Sequence, residues 1–223
     1  KLWDIAGGQS AALLNLGTQT VWKGYSNKPG SLGGCVSTRA SSSGGEIDLL
    51  LTKQTSFTVM CWAKIASTGT AGMIFSTSIA SLRCNSGAPG TININASTAS
   101  TLTFTTETWT HFALNINRAT GSVQKGYING KHACSYTSTT GDVACILKSV
   151  GNQQDSPSSS KQLKGDFDDI MVFDFILSEE QIRNIYLSSF VRKQQMAQFL
   201  QEGASTGSFV NSYLLSMLMG GQL

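Results

Sequence analysis

The sequence predicts an all-β sandwich of two antiparallel sheets followed by a C-terminal helical tail. Three observations lead there. Short stretches alternating in polarity recur along most of the chain, separated by Gly, Ser, Thr and Asn turn signals. Hydrophobic residues make up 40% of the 223 and charged residues only 13%, which suits one sizeable core joined by polar turns. Beyond Ser178 the apolar spacing changes from two to helical, with Ile182, Ile185 and Tyr186 on one face. The expected organisation is a sandwich domain over residues 1–190 and a helical tail over 191–223.

Residues 1–34 are Gly-rich with isolated anchors, Trp3, Leu13, Leu14, Val21, Trp22 and Tyr25, and predict short strands and loops. Residues 33–51, GGCVSTRASSSGGEIDLLL, predict two short strands across a Ser/Gly turn. Residues 56–65, SFTVMCWAKI, form the clearest strand, with Phe57, Val59, Cys61, Ala63 and Ile65 on one face and Thr58, Met60, Trp62 and Lys64 on the other. Bulk on both faces places it centrally in a sheet. Further strands are expected at 73–76, at 91–95 and 101–105 as a pair, and at 109–114. Asn129-Gly130 inside GYINGK marks a type I′ hairpin. Strands at 143–150 and 169–175 follow, the second alternating around Ile170, Val172 and Phe173. Ser178 and Gln181 then stand in the S-x-x-Q arrangement of a capping box.

From Ser178 the apolar positions Ile182, Ile185, Tyr186, Phe190, Met196, Phe199 and Leu200 fit one long helix ending near Gly203. A second apolar segment at 209–219 stops at Gly220-Gly221. Two readings of this tail stay open: it folds back on the sandwich, or it docks into a partner or symmetry mate through Phe199, Leu200, Phe209, Tyr213, Leu214, Leu215 and Leu218. The run 209–219 is too short to span a bilayer.

Composition excludes several classes. A net charge of +3, with no Lys/Arg cluster among aromatics, speaks against nucleic acid. Five cysteines without a C-x-x-C pair and only two histidines speak against zinc on spacing grounds. An odd, irregular cysteine set reads as buried small hydrophobes and favours folding in a reducing cytoplasm. The start, KLWDIAGG, carries no signal-type apolar core and no Met, so an upstream segment removed or not included stays open.

Four motifs in order now carry a resemblance. FTV-x-x-W lies at 57–62, W-x-H-x-A at 109–113, Y-I-N-G at 127–130 and I-x-x-I-Y at 182–186, the last preceded by a polar loop and a strand from Val150. The chain resembles pentraxin and laminin-G-like domains over about residues 35–187. That resemblance implies a concanavalin A-like jelly roll. Pentraxins join the FTV and W-x-H strands by a disulfide; the matching positions are Met60 and Ala113, and Cys61 would face the other side of the sheet.

The resemblance also implies a calcium site. The family's loop, roughly G-Q-E-Q-D-S, matches Gly151 to Ser156, so the ligands would be Asp155, Gln154 and Gln153, with Asn85 from a second loop. Gln153 replaces a Glu and Arg83 lies near Asn85, both of which weaken a site for a hard dication. The expectation is therefore no cofactor, with calcium at those residues as the alternative.

Related glycoside hydrolases carry E-x-D-x-(x)-E on one strand. Glu46 and Asp48 fit, but Leu50 and Leu51 stand where the second Glu would supply the proton to the leaving oxygen. His111 reads as a structural strand residue and His132 as exposed beyond the hairpin. Trp62 and Trp109 read as core, and Trp3 and Trp22 as the better ligand-surface candidates. Asn95-Ala96-Ser97 is a sequon, meaningful if the chain is secreted. The expected function is a non-enzymatic structural or binding module. It would sit on a virion surface, as a bacteriophage capsid-decoration or tail-fibre component, with virion proteins, other copies of itself and host glycans as partners. The alternatives are a secreted or cell-surface lectin, calcium-dependent or not, and a degenerate glycoside hydrolase.

Overall fold

Alternating apolar runs too short for stable helices must satisfy their backbone N–H and C=O groups sideways, in sheets. A computed structural model gives the outcome and describes residues 2–3, 10–11, 21–23, 35–39, 47–53, 55–67, 72–85, 90–95, 97, 99–139, 145–152 and 162–190. The strands are β1 (Leu2–Trp3), β2 (Ser10–Ala11), β3 (Val21–Lys23), β4 (Cys35–Ser37), β5 (Ile47–Lys53), β6 (Phe57–Ile65), β7 (Gly72–Thr77) and β8 (Ser81–Asn85). They continue as β9 (Gly90–Ile94), β10 (Thr103–Phe104), β11 (Trp109–Ile116), β12 (Val123–Ile128), β13 (Lys131–Thr137), β14 (Cys145–Val150) and β15 (Gly165–Phe173). Among the described residues a helix, α1, spans 179–190.

A six-stranded sheet has the order β10-β9-β8-β7-β14-β5, and a seven-stranded sheet the order β13-β12-β11-β6-β15-β4-β3; β1 and β2 pair apart from both. Every pairing among the described residues is antiparallel. The two strands expected within 33–51 do form, but β4 and β5 lie in different sheets and do not pair as a hairpin. The strand expected at 169–175 is β15, which starts and ends earlier. A register shift between Asp168 and Met171, with Asp169 at φ 44°, interrupts the alternation there. That bulge hid the strand's first half.

β6 is the middle strand of its sheet, between β11 and β15. Its inner face, Phe57, Val59, Cys61, Ala63 and Ile65, packs with Ile74, Leu82, Ile92, Ile94 and Leu147 of the other sheet. Its outer face carries Met60, which clusters with Ala113, Tyr127, Leu177 and Ile182 beneath α1. Met60 and Ala113 are direct cross-strand partners, and Cys61 points into the opposite core, as the motif alignment implied. All five cysteines are buried, and none forms a disulfide.

α1 begins where the capping box places it. The Gln181 N–H donates to Ser178 Oγ at 3.1 Å and the Ser178 N–H to Gln181 Oε1 at 2.8 Å. Trp62 anchors the far end: its ring stacks on Tyr186 with centroids 5.6 Å apart, and its Nε1 donates to Ser189 Oγ at 3.3 Å. The Asn129-Gly130 turn also touches the helix. Both residues have positive φ, 49° and 76°, and a Cβ on Gly130 would stand 2.8 Å from the Arg183 Cα. Only glycine fits that contact.

Among the described residues no helix is long and apolar enough to cross a membrane. Residues 191–223, with the expected docking positions Phe199, Leu200, Phe209, Tyr213, Leu214, Leu215 and Leu218, lie outside the described ones.

Candidate functional site

Two places on the sandwich offer side chains to a ligand. The first is one end of the six-stranded sheet. In the order β8-β7-β14, antiparallel neighbours make β8 and β14 run the same way, so both chains leave at the same end. Asn85, closing β8, and Val150, closing β14, thus lie toward the same end of the sheet. Asn85 Nδ2 is 3.5 Å from Thr91 Oγ1, and Arg83 points outward on the same strand face. Gln153, Gln154 and Asp155 lie outside the described residues. Among the described residues no three His, Cys, Asp or Glu side chains gather as metal ligands.

The feet of that loop are fixed by buried polar groups that sequence reasoning missed. Gly151 adopts φ 88° and its carbonyl accepts the Leu163 N–H at 2.7 Å. Ser149 Oγ donates to the Asn152 carbonyl at 2.6 Å, and Gln162 Nε2 to the Thr38 carbonyl at 3.2 Å. Thr38 Oγ1 donates to the Leu163 carbonyl at 2.8 Å and accepts the Gly165 N–H at 3.1 Å. Next to Thr38, Arg39 pairs with Asp166 at 3.0 Å and Glu107 at 2.8 Å, and this pairing holds the Glu107 carboxyl below the usual carboxylate range.

The second place is a cleft of about 650 Å³ on the outer face of the seven-stranded sheet, beside the start of α1. β11 supplies Asn115 and the residue just after it Asn117, β12 supplies Val123, Lys125 and Tyr127 at alternate positions, and β13 supplies His132. The turn into α1 and its first residues supply Ile176, Leu177, Ser178, Glu179 and Gln181. Buried Asn115 is the keystone of the floor. Its Nδ2 donates to Tyr127 Oη at 3.2 Å and to the Leu177 carbonyl at 2.9 Å, and its Oδ1 accepts from Thr58 Oγ1 at 2.8 Å. The Leu177 N–H in turn donates to Thr58 Oγ1 at 2.9 Å. Strand and helix approach are thereby joined. Glu179 Oε1 accepts the His132 N–H at 3.1 Å, which closes the far wall. Burial, with the Glu179 charge adding, pushes the Tyr127 phenol up to about 12, so it stays protonated. The alternation Val123, Lys125, Tyr127 was readable as one strand face, but nothing local ties it to residues 176–181.

The other candidates fall as follows. His111 is buried, its ring 5.6 Å from Trp62 and 5.9 Å from Tyr186, a packed position. His132 is exposed, with Nε2 2.8 Å from Ser135 Oγ on the same edge strand. Glu46 lies outside the described residues, and Asp48 sits in β5 opposite Ser149. Trp62 is core, Trp109 half-buried; Trp3 is in β1 and Trp22 in β3, across from Val36, so both belong to short strands. The sequon residue Asn95 has its amide in use: Nδ2 donates to the Ile79 carbonyl at 3.2 Å and Oδ1 accepts the Ser81 N–H at 2.7 Å. Burial pushes the Cys84 thiol up to about 12 and the Cys134 thiol to about 11, which argues against either as a nucleophile.

Comparison with known proteins adds the family. No curated protein sequence matches the chain. A mutant of Trypanosoma rangeli sialidase that displays trans-sialidase activity aligns with a TM-score of 0.56 at 14% identity, over 78% of this chain and 30% of that one. Domain 4 of AbnA, an extracellular arabinanase from Geobacillus stearothermophilus solved with arabinotriose, aligns with 0.50 at 16% identity, over 75% of this chain and 81% of that one. The native heptameric SAP-like pentraxin of Limulus polyphemus aligns with 0.49 at 19% identity, over 61% of this chain and 71% of that one. The chain thus spans less than a third of the sialidase, and at these identities the likeness is one of fold. The laminin G-like family model, described as the concanavalin A-like lectin/glucanases superfamily, matches residues 39–183, more than half of the sequence. With its two antiparallel sheets and helix, this chain is a concanavalin A-like jelly roll and belongs to the laminin G-like family of the concanavalin A-like lectin/glucanase superfamily.

Proposed function

We propose that the chain is a non-enzymatic, lectin-like module of a virion surface, a bacteriophage capsid-decoration or tail-fibre component whose sandwich contacts host glycans. The observation that carries this reading is a lectin-like fold holding five buried cysteines outside any disulfide, which suits a domain completed in a reducing cytoplasm before it meets the exterior. The apolar sequence beyond α1 suits docking on virion proteins or on further copies of the chain. Mass spectrometry of purified particles, with light scattering of the chain lacking residues 192–223, tests the reading. The chain should be found in particles, and the truncated form should lose its oligomer; an unchanged oligomer would count against docking by the tail.

A surface lectin using calcium is the second reading, supported by Asn85 closing β8 at the sheet end where β14 also closes. Calorimetry with calcium on wild type and Asp155→Ala separates the two, since absence of heat in both removes the calcium version.

A further inference from the structure

The cleft beside α1 lies on a different surface from the β8 and β14 loop end, and its chemistry names a ligand class. Its volume, about 650 Å³, falls within the roughly 300–1,000 Å³ usual for small-ligand pockets. Its lining includes one acid and one base of opposite charge, Glu179 and Lys125. A lining balanced in this way does not select an ion. Val123 is 43% exposed and Ile176 40%, so apolar surface stands open at the rim where a C–H face could rest.

The hydrogen-bonding capacity left over is mixed. Tyr127 is only 3% exposed and its Oη accepts from Asn115, yet its O–H finds no acceptor among the described residues. A buried donor without an acceptor is a cost that an incoming hydroxyl would remove. Gln181 spends its Oε1 on the Ser178 N–H, which leaves Nε2 to donate. Lys125 forms no ion pair among the described residues, and the second Glu179 oxygen can accept. Donors and acceptors around an apolar patch, at balanced charge, match a molecule whose hydroxyls both give and take hydrogen bonds and whose ring has an apolar face.

We propose that this cleft binds an uncharged pyranose unit of a glycan, with Tyr127, Lys125, Gln181 and Glu179 meeting its hydroxyls and Val123 and Ile176 its C–H face. The proposal rests on the glycan-contact part of the function proposed above and moves that contact to the helix side of the sandwich. The high proton affinity of the Tyr127 phenol keeps the donor in place across ordinary pH.

The test is an NMR titration of the full chain with the methyl pyranosides of glucose, galactose, mannose and N-acetylglucosamine, and with methyl glucuronoside as the charged comparison. At least one neutral probe should give saturable shifts at the amides of β12 and of residues 176–181. Tyr127→Phe should weaken it about fivefold, the scale of one lost hydrogen bond. Lys125→Ala, at an exposed site, should weaken it too and serves if Tyr127→Phe disturbs the fold. No saturable shift there with any neutral probe, equal binding by both variants, or tighter binding of the glucuronoside would each overturn the proposal. A glycan array probed with the chain in multivalent form separates the two readings. A blank array beside Tyr127-dependent NMR binding defeats host-glycan adhesion and leaves the cleft standing; array binding untouched by both variants leaves adhesion standing and defeats the cleft.

Discussion

The two faces of the seven-stranded sheet are built by different rules, although the same strands make both. The inner face buries Phe57, Val59, Cys61 and Ile65 of β6 with Phe112 and Leu114 of β11, against aliphatic residues from the opposite sheet. The directional bonds there run to nearby backbone, as where buried Gln124 of β12 accepts the Asn117 N–H and donates to the Asn117 carbonyl. The outer face alternates Met60 and Trp62 with Thr58, and Tyr127 with Asn115, so apolar contacts and hydrogen bonds share the space beneath α1. Burial of apolar area stabilises in proportion to area and tolerates many shapes. Buried polar groups stabilise only when each partner is in place. The inner face therefore holds the sandwich together, and the outer face fixes how one helix approaches it.

The largest expected break is on the inner face. Phe112→Ala should cost about 3–5 kcal/mol, a full aromatic side chain and the cavity it leaves; urea unfolding measures it, and a loss below 1 kcal/mol would mean that the core rearranges freely. On the outer face, Thr58→Ala removes the hydroxyl shared by Asn115 and the Leu177 N–H. It should cost about 1–3 kcal/mol, and hydrogen exchange should quicken in residues 177–186 before it does in β6. Equal quickening in both would erase the distinction between the faces. Ser178→Ala removes one half of the capping box and should cost about 1 kcal/mol, seen as fraying of the first turn of α1 by amide exchange.

The smallest effect at neutral pH appears only in alkaline solution. Folding raises the Tyr127 phenol from 10.0 to about 12, so the protonated form favours the folded chain. Its contribution is whole below about pH 10 and is lost as pH rises through about 12. Tyr127→Phe should flatten that part of the stability–pH curve. The Cys84 and Cys134 thiols of the inner core act in the same direction from a lower starting value of 9.0, and their share should persist in the variant. A curve with the same slope in wild type and variant would remove Tyr127 from the account.

The local signals read well. The alternation of residues 56–65 located β6 and sorted its faces, because neighbouring side chains of any strand point oppositely. Asn129-Gly130 located the hairpin, and Ser178 with Gln181 located the start of α1, each through chemistry contained within four residues. The β15 bulge was not legible, since Asp168 and Asp169 break the alternation where the strand continues. Nor was the change of layer between β4 and β5, which is decided by what each strand finds to pair with. The cleft was the largest omission. Asn115, Tyr127 and Glu179 are each unremarkable in their own segments, and the expected site residues pointed elsewhere: Asp155 and its neighbours, Trp3, Trp22 and the tail.

By itself the sequence determined the all-β sandwich, the family motifs, the faces of the central strand and the helix that follows it. Those depend on period, turn chemistry and capping, which act over a few residues. Only the tertiary structure decided that Thr58, Asn115, Tyr127 and Leu177 meet in one hydrogen-bonded floor. It also decided that Lys125 and Glu179 line one cleft, and that β8 and β14 end toward the same side of their sheet. These depend on strand order and on the return of α1 across the sheet, which bring together residues separated by tens of positions.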